Sequence, residues 1–107
     1  MNKVFIGGIG STGDKYKERL HEQDGRKYLA IPFREKGNDW VVMFSWGKSF
    51  KGVPKSYITV RKVTNNPFGM LGTQFENVNE AIKKYKSPTM ISNLAQAEAR
   101  AMKYGYR

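Results

Sequence analysis

No cysteine occurs anywhere in the chain, which excludes disulfides and thiolate zinc sites and argues against a small secreted scaffold held by bridges. Histidine is nearly as scarce: His21 stands alone, and although Glu18 and Glu22 flank it, nothing elsewhere supplies the partner a metal centre needs. No metal or other cofactor is expected. Long apolar runs are also missing. The longest goes from Trp40 to Phe44, far below the roughly 20 residues that cross a bilayer, and the N-terminal residues lack the apolar core of an export signal. The expectation is a cytoplasmic protein with no membrane partner.

Acidic residues are few. Nine Asp and Glu face nineteen Lys and Arg, a net charge of +10, and such an excess disfavours the compact state unless an acidic partner uses it. The imbalance is uneven. Residues 1–47 hold 8 basic and 6 acidic side chains, whereas residues 48–107 hold 11 and 3, so a polyanion-binding surface should draw on the second half.

What is present has the size of one domain, spanning all 107 residues. After an apolar Val4-Phe5-Ile6, the segment 1–26 is glycine-rich, and the pattern from Asp14 to about Gln23 suggests a polar helix carried by Tyr16 and Leu20 and stopped by Asp24-Gly25. Strands follow. Leu29, Ile31 and Phe33 alternate within Tyr28 to Arg34, where Pro32 suggests an edge, and Trp40, Val42, Phe44 and Trp46 alternate beyond the turn residues Lys36 to Asp39. A third strand is expected from Tyr57 to Val63, then an irregular, mobile connection around Asn65 to Gly72. Val78, Ala81, Ile82 and Tyr85 mark a helix from Asn77 to Lys86. Ser87-Pro88 opens a last one through Tyr104, its face given by Ile91, Leu94, Ala95 and Met102 and its end by Gly105. These elements predict an α+β fold, with a three- to four-stranded antiparallel sheet and two C-terminal helices packed on one face.

Chemistry concentrates after residue 45. Lys48, Lys51, Lys55, Arg61 and Lys62 follow one another without an acidic residue and are interleaved with Phe50 and Tyr57, the combination of phosphate-seeking charge and stackable rings that nucleic acid rewards. Lys83 and Lys84 would extend this patch if their helix lay beside the sheet. Nothing supports nucleophilic catalysis, since Ser11, Thr12, Ser45 and Ser49 lack an evident base, and no enzyme is expected. A nucleotide-binding alternative rests on Gly8-Ile9-Gly10-Ser11-Thr12-Gly13, which fits G-x-G-x-x-G with Glu35 closing the next strand. The hairpins that follow argue against the βαβ units such a site needs.

The order Tyr28 to Phe33, then Trp40 to a Trp46-Gly47-Lys48 ending, then Phe75, Glu80-Ala81-Ile82, Tyr85 and finally Lys103-Tyr104-Gly105-Tyr106 resembles the WGR domain of poly(ADP-ribose) polymerases and bacterial proteins. The likeness covers residues 27–107. It implies a small α+β module that binds nucleic acid, with Trp46 against a sugar or base and Lys48 in the phosphate-contacting place of the motif arginine; DNA is the expected ligand in preference to RNA. That exchange loses the planar fork of Arg. The Gly-Gln step usual after the motif is absent, and residues 64–74 are longer than the family pattern. With no helix suited to reading base edges, recognition should be of backbone or unpaired ends. The alternative from another class is a small phage- or mobile-element-type interaction protein that binds and inhibits a host factor. Its basic surface would then meet an acidic or nucleic-acid-handling protein.

Overall fold

A computed structural model of the chain describes residues 17–63 and 72–107. Among the described residues, five strands, β1 (Arg19–Gln23), β2 (Arg26–Glu35), β3 (Asn38–Gly47), β4 (Ser56–Lys62) and β5 (Thr73–Phe75), precede two helices, α1 (Val78–Lys84) and α2 (Pro88–Lys103). The strands lie side by side in chain order, every neighbouring pair antiparallel. The result is a meander.

Two tight turns set its register. Asp24-Gly25 joins β1 to β2 with φ of 54° and 83°, and Lys36-Gly37 joins β2 to β3 with φ of 50° and 81°. Positive φ at both central residues gives the turn whose twist matches that of the flanking strands. The first of these turns corrects the helix expected up to Gln23: within the described part, residues 19–23 pair with β2 from Arg19↔Ala30 to Gln23↔Arg26. Asp24-Gly25 is a hairpin turn rather than a helix stop, and the backbone pairing it enforces outweighs the single i, i+4 apolar pair behind the helical reading. With the short β5 added, the sheet has five strands among the described residues, where three or four were expected. Pro32 sits in an interior strand, but β1 reaches only to Ala30, so the missing N–H falls beyond the paired stretch.

The period of two sorts the side chains. Leu29, Ile31, Val42, Phe44, Trp46, Ile58 and Val60 point to one face, where they meet Val78 and Ala81 of α1 and Met90, Leu94, Ala97 and Ala101 of α2. Both helices therefore cover the same side of the sheet. Asn77 caps α1 by accepting the Glu80 backbone N–H at 3.0 Å. Ser87 and Pro88 start α2 as expected.

The buried stripe of α2 is Met90, Leu94, Ala97 and Ala101, so the expected face was misphased: Leu94 points inward, whereas Ala95 and Met102 are exposed. Small side chains at 97 and 101 allow the helix to approach the sheet closely, and a pattern weighted toward bulky residues overlooks them. Gly105, at φ 107°, then ends the helix. Its N–H reaches the Met102 carbonyl at 3.1 Å and that of Tyr106 reaches the Ala101 carbonyl at 3.2 Å, the paired bonds that turn a chain back after a helix. Tyr106 is thereby buried, with its ring edge-on to Phe44 at 4.9 Å and to Trp46 at 5.8 Å.

Candidate nucleic-acid interface

Between β3 and β4 the chain makes an excursion over residues 48–55, and its root is tightly held. Gly47 has φ 118°, and a Cβ there would stand 2.7 Å from the Gly25 carbonyl oxygen. Only glycine lets β3 pass the β1–β2 turn this closely. The Lys48 N–H then donates to that same carbonyl at 3.1 Å.

Arg26 fixes the root from beneath. Fully buried, it donates from Nε to Ser45 Oγ at 2.9 Å and from Nη1 to the Lys48 carbonyl at 3.2 Å, and its guanidinium lies 5.4 Å from the centre of the Tyr57 ring. The far end of the excursion is a small hairpin. Phe50 and Val53 face each other as an antiparallel bridge, with the Val53 N–H on the Phe50 carbonyl at 2.9 Å and Lys51-Gly52 at the tip.

This loop presents cations and apolar surface together. Lys48, Lys51 and Lys55 are exposed, Phe50 and Val53 retain 39% and 37% of their exposure, and Lys48 Nζ sits 5.7 Å from the Phe50 ring centre. No carboxylate occurs between Asp39 and Glu76. The arrangement can neutralise closely spaced anionic groups and offer a ring to a neighbouring flat or apolar group.

The other expected contact residues are placed differently. Trp46 is 9% exposed and packs beneath Tyr106, so it belongs to the core and does not offer its ring to a base. Arg61 is also buried, at 4%, and its odd position in β4 puts it on the sheet face away from the helices. Ala30, Val41, Met43 and Ser45, on that same face, are buried too. Tyr57 is half-buried under Arg26.

Lys62 is exposed but lies opposite Trp40, at the other end of the strands from the Trp46↔Ser56 pair. Trp40 meets Tyr85 edge-on, and Lys84 Nζ is 5.6 Å from the Tyr85 ring centre. Lys83 is tied to Glu80 at 3.0 Å. The basic residues thus form two groups at opposite ends of β4, about 20 Å apart at the usual rise of a strand, and Lys83 and Lys84 do not extend the loop.

The remaining candidates are placed as follows. A shallow cleft of about 370 Å³ is lined by Arg34, Glu35, Lys36, Thr89, Ser92 and Asn93, but Glu35 accepts from Ser87 Oγ at 3.0 Å and from Thr89 Oγ1, so its carboxylate serves the start of α2. The Gly8–Gly13 loop lies outside the described residues, and the strands that follow are antiparallel rather than βαβ units. The strand also separates the Glu18, His21 and Glu22 trio, alternate positions pointing His21 and Glu22 to opposite faces. Among the described residues no acidic, histidine or cysteine cluster could hold a metal, and no helix is long and apolar enough to cross a membrane.

Two features escaped the sequence reading. Val53 completes the loop's apolar tip, and the four-residue spacing Phe50-Lys51-Gly52-Val53 around a glycine could have signalled it. Glu18 accepts from Arg100 Nε at 2.7 Å and from the Tyr104 hydroxyl, a long-range contact without a local signature. No protein-family model, characterised protein or solved structure matches the chain.

Proposed function

We propose that this chain is a nucleic-acid-binding module, not an enzyme, that grips the phosphate backbone through the loop 48–55. The observation that carries the reading is the display of Lys48, Lys51 and Lys55 beside an exposed Phe50 on a loop anchored at its root. Lysines here release counterions from phosphates, and the fixed root limits the ordering cost of binding. The WGR-like reading gives Lys48 the role of the motif arginine; the ligand is proposed to be DNA rather than RNA, and the location the cytoplasm. The exposed Lys48 ammonium supports that role, and Trp46 supports it from below as packing.

Fluorescence anisotropy of nuclease-treated protein with single-stranded, double-stranded and nicked DNA and with RNA, across a salt series, tests the proposal. Lys51→Glu and Lys55→Glu should each weaken binding about tenfold or more and flatten the salt slope by about one unit per lost phosphate contact. Lys83→Glu should leave binding unchanged at physiological salt, because Lys83 stands away from the loop and its field there is screened. Equal binding by the loop variants, or no binding at all, overturns the reading. A protein that co-purifies through the same lysines after nuclease treatment would then favour an inhibitor of a host factor.

A further inference from the structure

We infer that Phe50 and Val53 form a wedge that enters a base step of duplex DNA while the surrounding lysines hold the phosphates on either side. The inference rests on the nucleic-acid reading and makes it more specific. Three observations carry it.

First, the shape is wrong for a stacking platform. Proteins that lay unpaired bases on aromatic rings use an accessible surface along which the strand can run, but here one sheet face is covered by α1 and α2 and the other is buried at Ala30, Val41, Met43 and Ser45. Among the described large apolar residues with substantial exposure, Phe50 and Val53 are the pair within the basic stretch. They stand at a hairpin tip.

Second, the two side chains act as one unit. They are directly opposed residues of an antiparallel bridge, closed by the bond from the Val53 N–H to the Phe50 carbonyl, and such pairs project to the same side of a ribbon. The tip is two backbones wide, a width that a duplex groove accepts.

Third, charge surrounds the apolar pair. Lys48 lies against the Phe50 ring, Lys51 occupies the tip and Lys55 follows Val53 by two residues. An apolar wedge between cations suits a partner that is anionic outside and apolar between its stacked planes. Apolar side chains inserted in this way unstack a step and bend the duplex, and the cost is least at flexible pyrimidine–purine steps.

The test uses the full chain and a short duplex carrying dyes at both ends and a central TpA step. The protein should shorten the end-to-end distance read by energy transfer. Phe50→Ala should remove most of that bend and weaken binding about tenfold while leaving the salt slope unchanged. Phe50→Leu should keep the bend, since the wedge needs bulk and apolarity rather than aromaticity.

Phe50 is exposed, so these variants should keep the parent melting temperature, which is checked alongside. If the parent protein binds the duplex through Lys51 and Lys55 without bending it, or Phe50→Ala bends it as well, the wedge is wrong and the phosphate-binding role stands. If the protein ignores every nucleic acid and instead binds anionic phosphatidylserine vesicles in a Phe50-dependent way, both the wedge and the nucleic-acid role fall.

Discussion

Arg26 is a buried arginine whose observed contacts are neutral: a serine hydroxyl, a backbone carbonyl and a tyrosine ring, with Nη2 finding no hydrogen-bond partner among the described residues. Burying a guanidinium is costly unless its hydrogen bonds offset the lost hydration, and here those contacts join the β2 start, the β3 end and the loop root at one point. Truncation would open a cavity and leave Ser45 Oγ and the Lys48 carbonyl short of a donor. Arg26→Ala should therefore lower stability by about 2–4 kcal/mol in urea unfolding and speed hydrogen exchange at the Lys48 amide. Arg26→Lys should not restore the protection, since one ammonium cannot span the fork. An effect on global stability without faster exchange at Lys48 would mean that Arg26 supports the core and not the loop. This residue was illegible in the sequence because an arginine at a strand start reads as solvated. For Trp46 the difficulty ran the other way: its position in the Trp46-Gly47-Lys48 ending drew attention to its ring, while the burial against Tyr106 depended on the turn at Gly105, 59 residues later in the chain.

At the scale of elements, α2 is fastened at both ends. Its start meets the end of β2, where Glu35 accepts from Ser87 and Thr89. Its end meets the chain leading into β1, where Glu18 receives Tyr104 and Arg100. The Tyr104 hydrogen bond, helped by the Arg100 charge, holds the Glu18 carboxyl below its usual value of 4.5 despite some desolvation. A depressed carboxyl contributes stability that is complete above its unfolded value and disappears as pH falls through its folded value. The melting-temperature difference between the parent and Glu18→Gln should thus be positive at pH 6, on the order of 1 kcal/mol in stability, and should shrink as the pH is taken below 4.5. A difference that stayed constant with pH would assign the effect to packing. The same contact explains the limits of sequence reading. β2, β3, β4 and the helix starts were legible because their signals are local: alternation, turn residues and caps. β1 was lost because its order comes from pairing with β2 and from contacts such as Glu18 to Arg100, which no nearby residue announces.

Over the whole molecule the charge of +10 divides into places with different reach. Residues close in sequence, from Lys48 to Lys62, looked like one patch, but β4 runs between them and carries Lys62 to the Trp40 end, beside Tyr85 and Lys84. A strand of seven residues spans about 20 Å between its end residues. The two groups are then separated by more than the screening length of about 8 Å at physiological ionic strength, but by less than the roughly 30 Å that applies at 0.01 M salt. Direct contact and distant attraction can be separated on this basis. Lys51→Glu with Lys55→Glu should weaken DNA binding at both ionic strengths, because in the proposed complex those ammonium groups touch the phosphates they neutralise. Lys62→Glu with Lys84→Glu should weaken it clearly at 0.01 M salt, mainly by slowing association, and scarcely at all under physiological conditions. Stopped-flow anisotropy at the two ionic strengths reads both effects. If the Lys62 and Lys84 pair mattered equally under physiological salt, the nucleic acid would have to follow the length of β4 and touch both ends, and the loop could not be the sole point of contact.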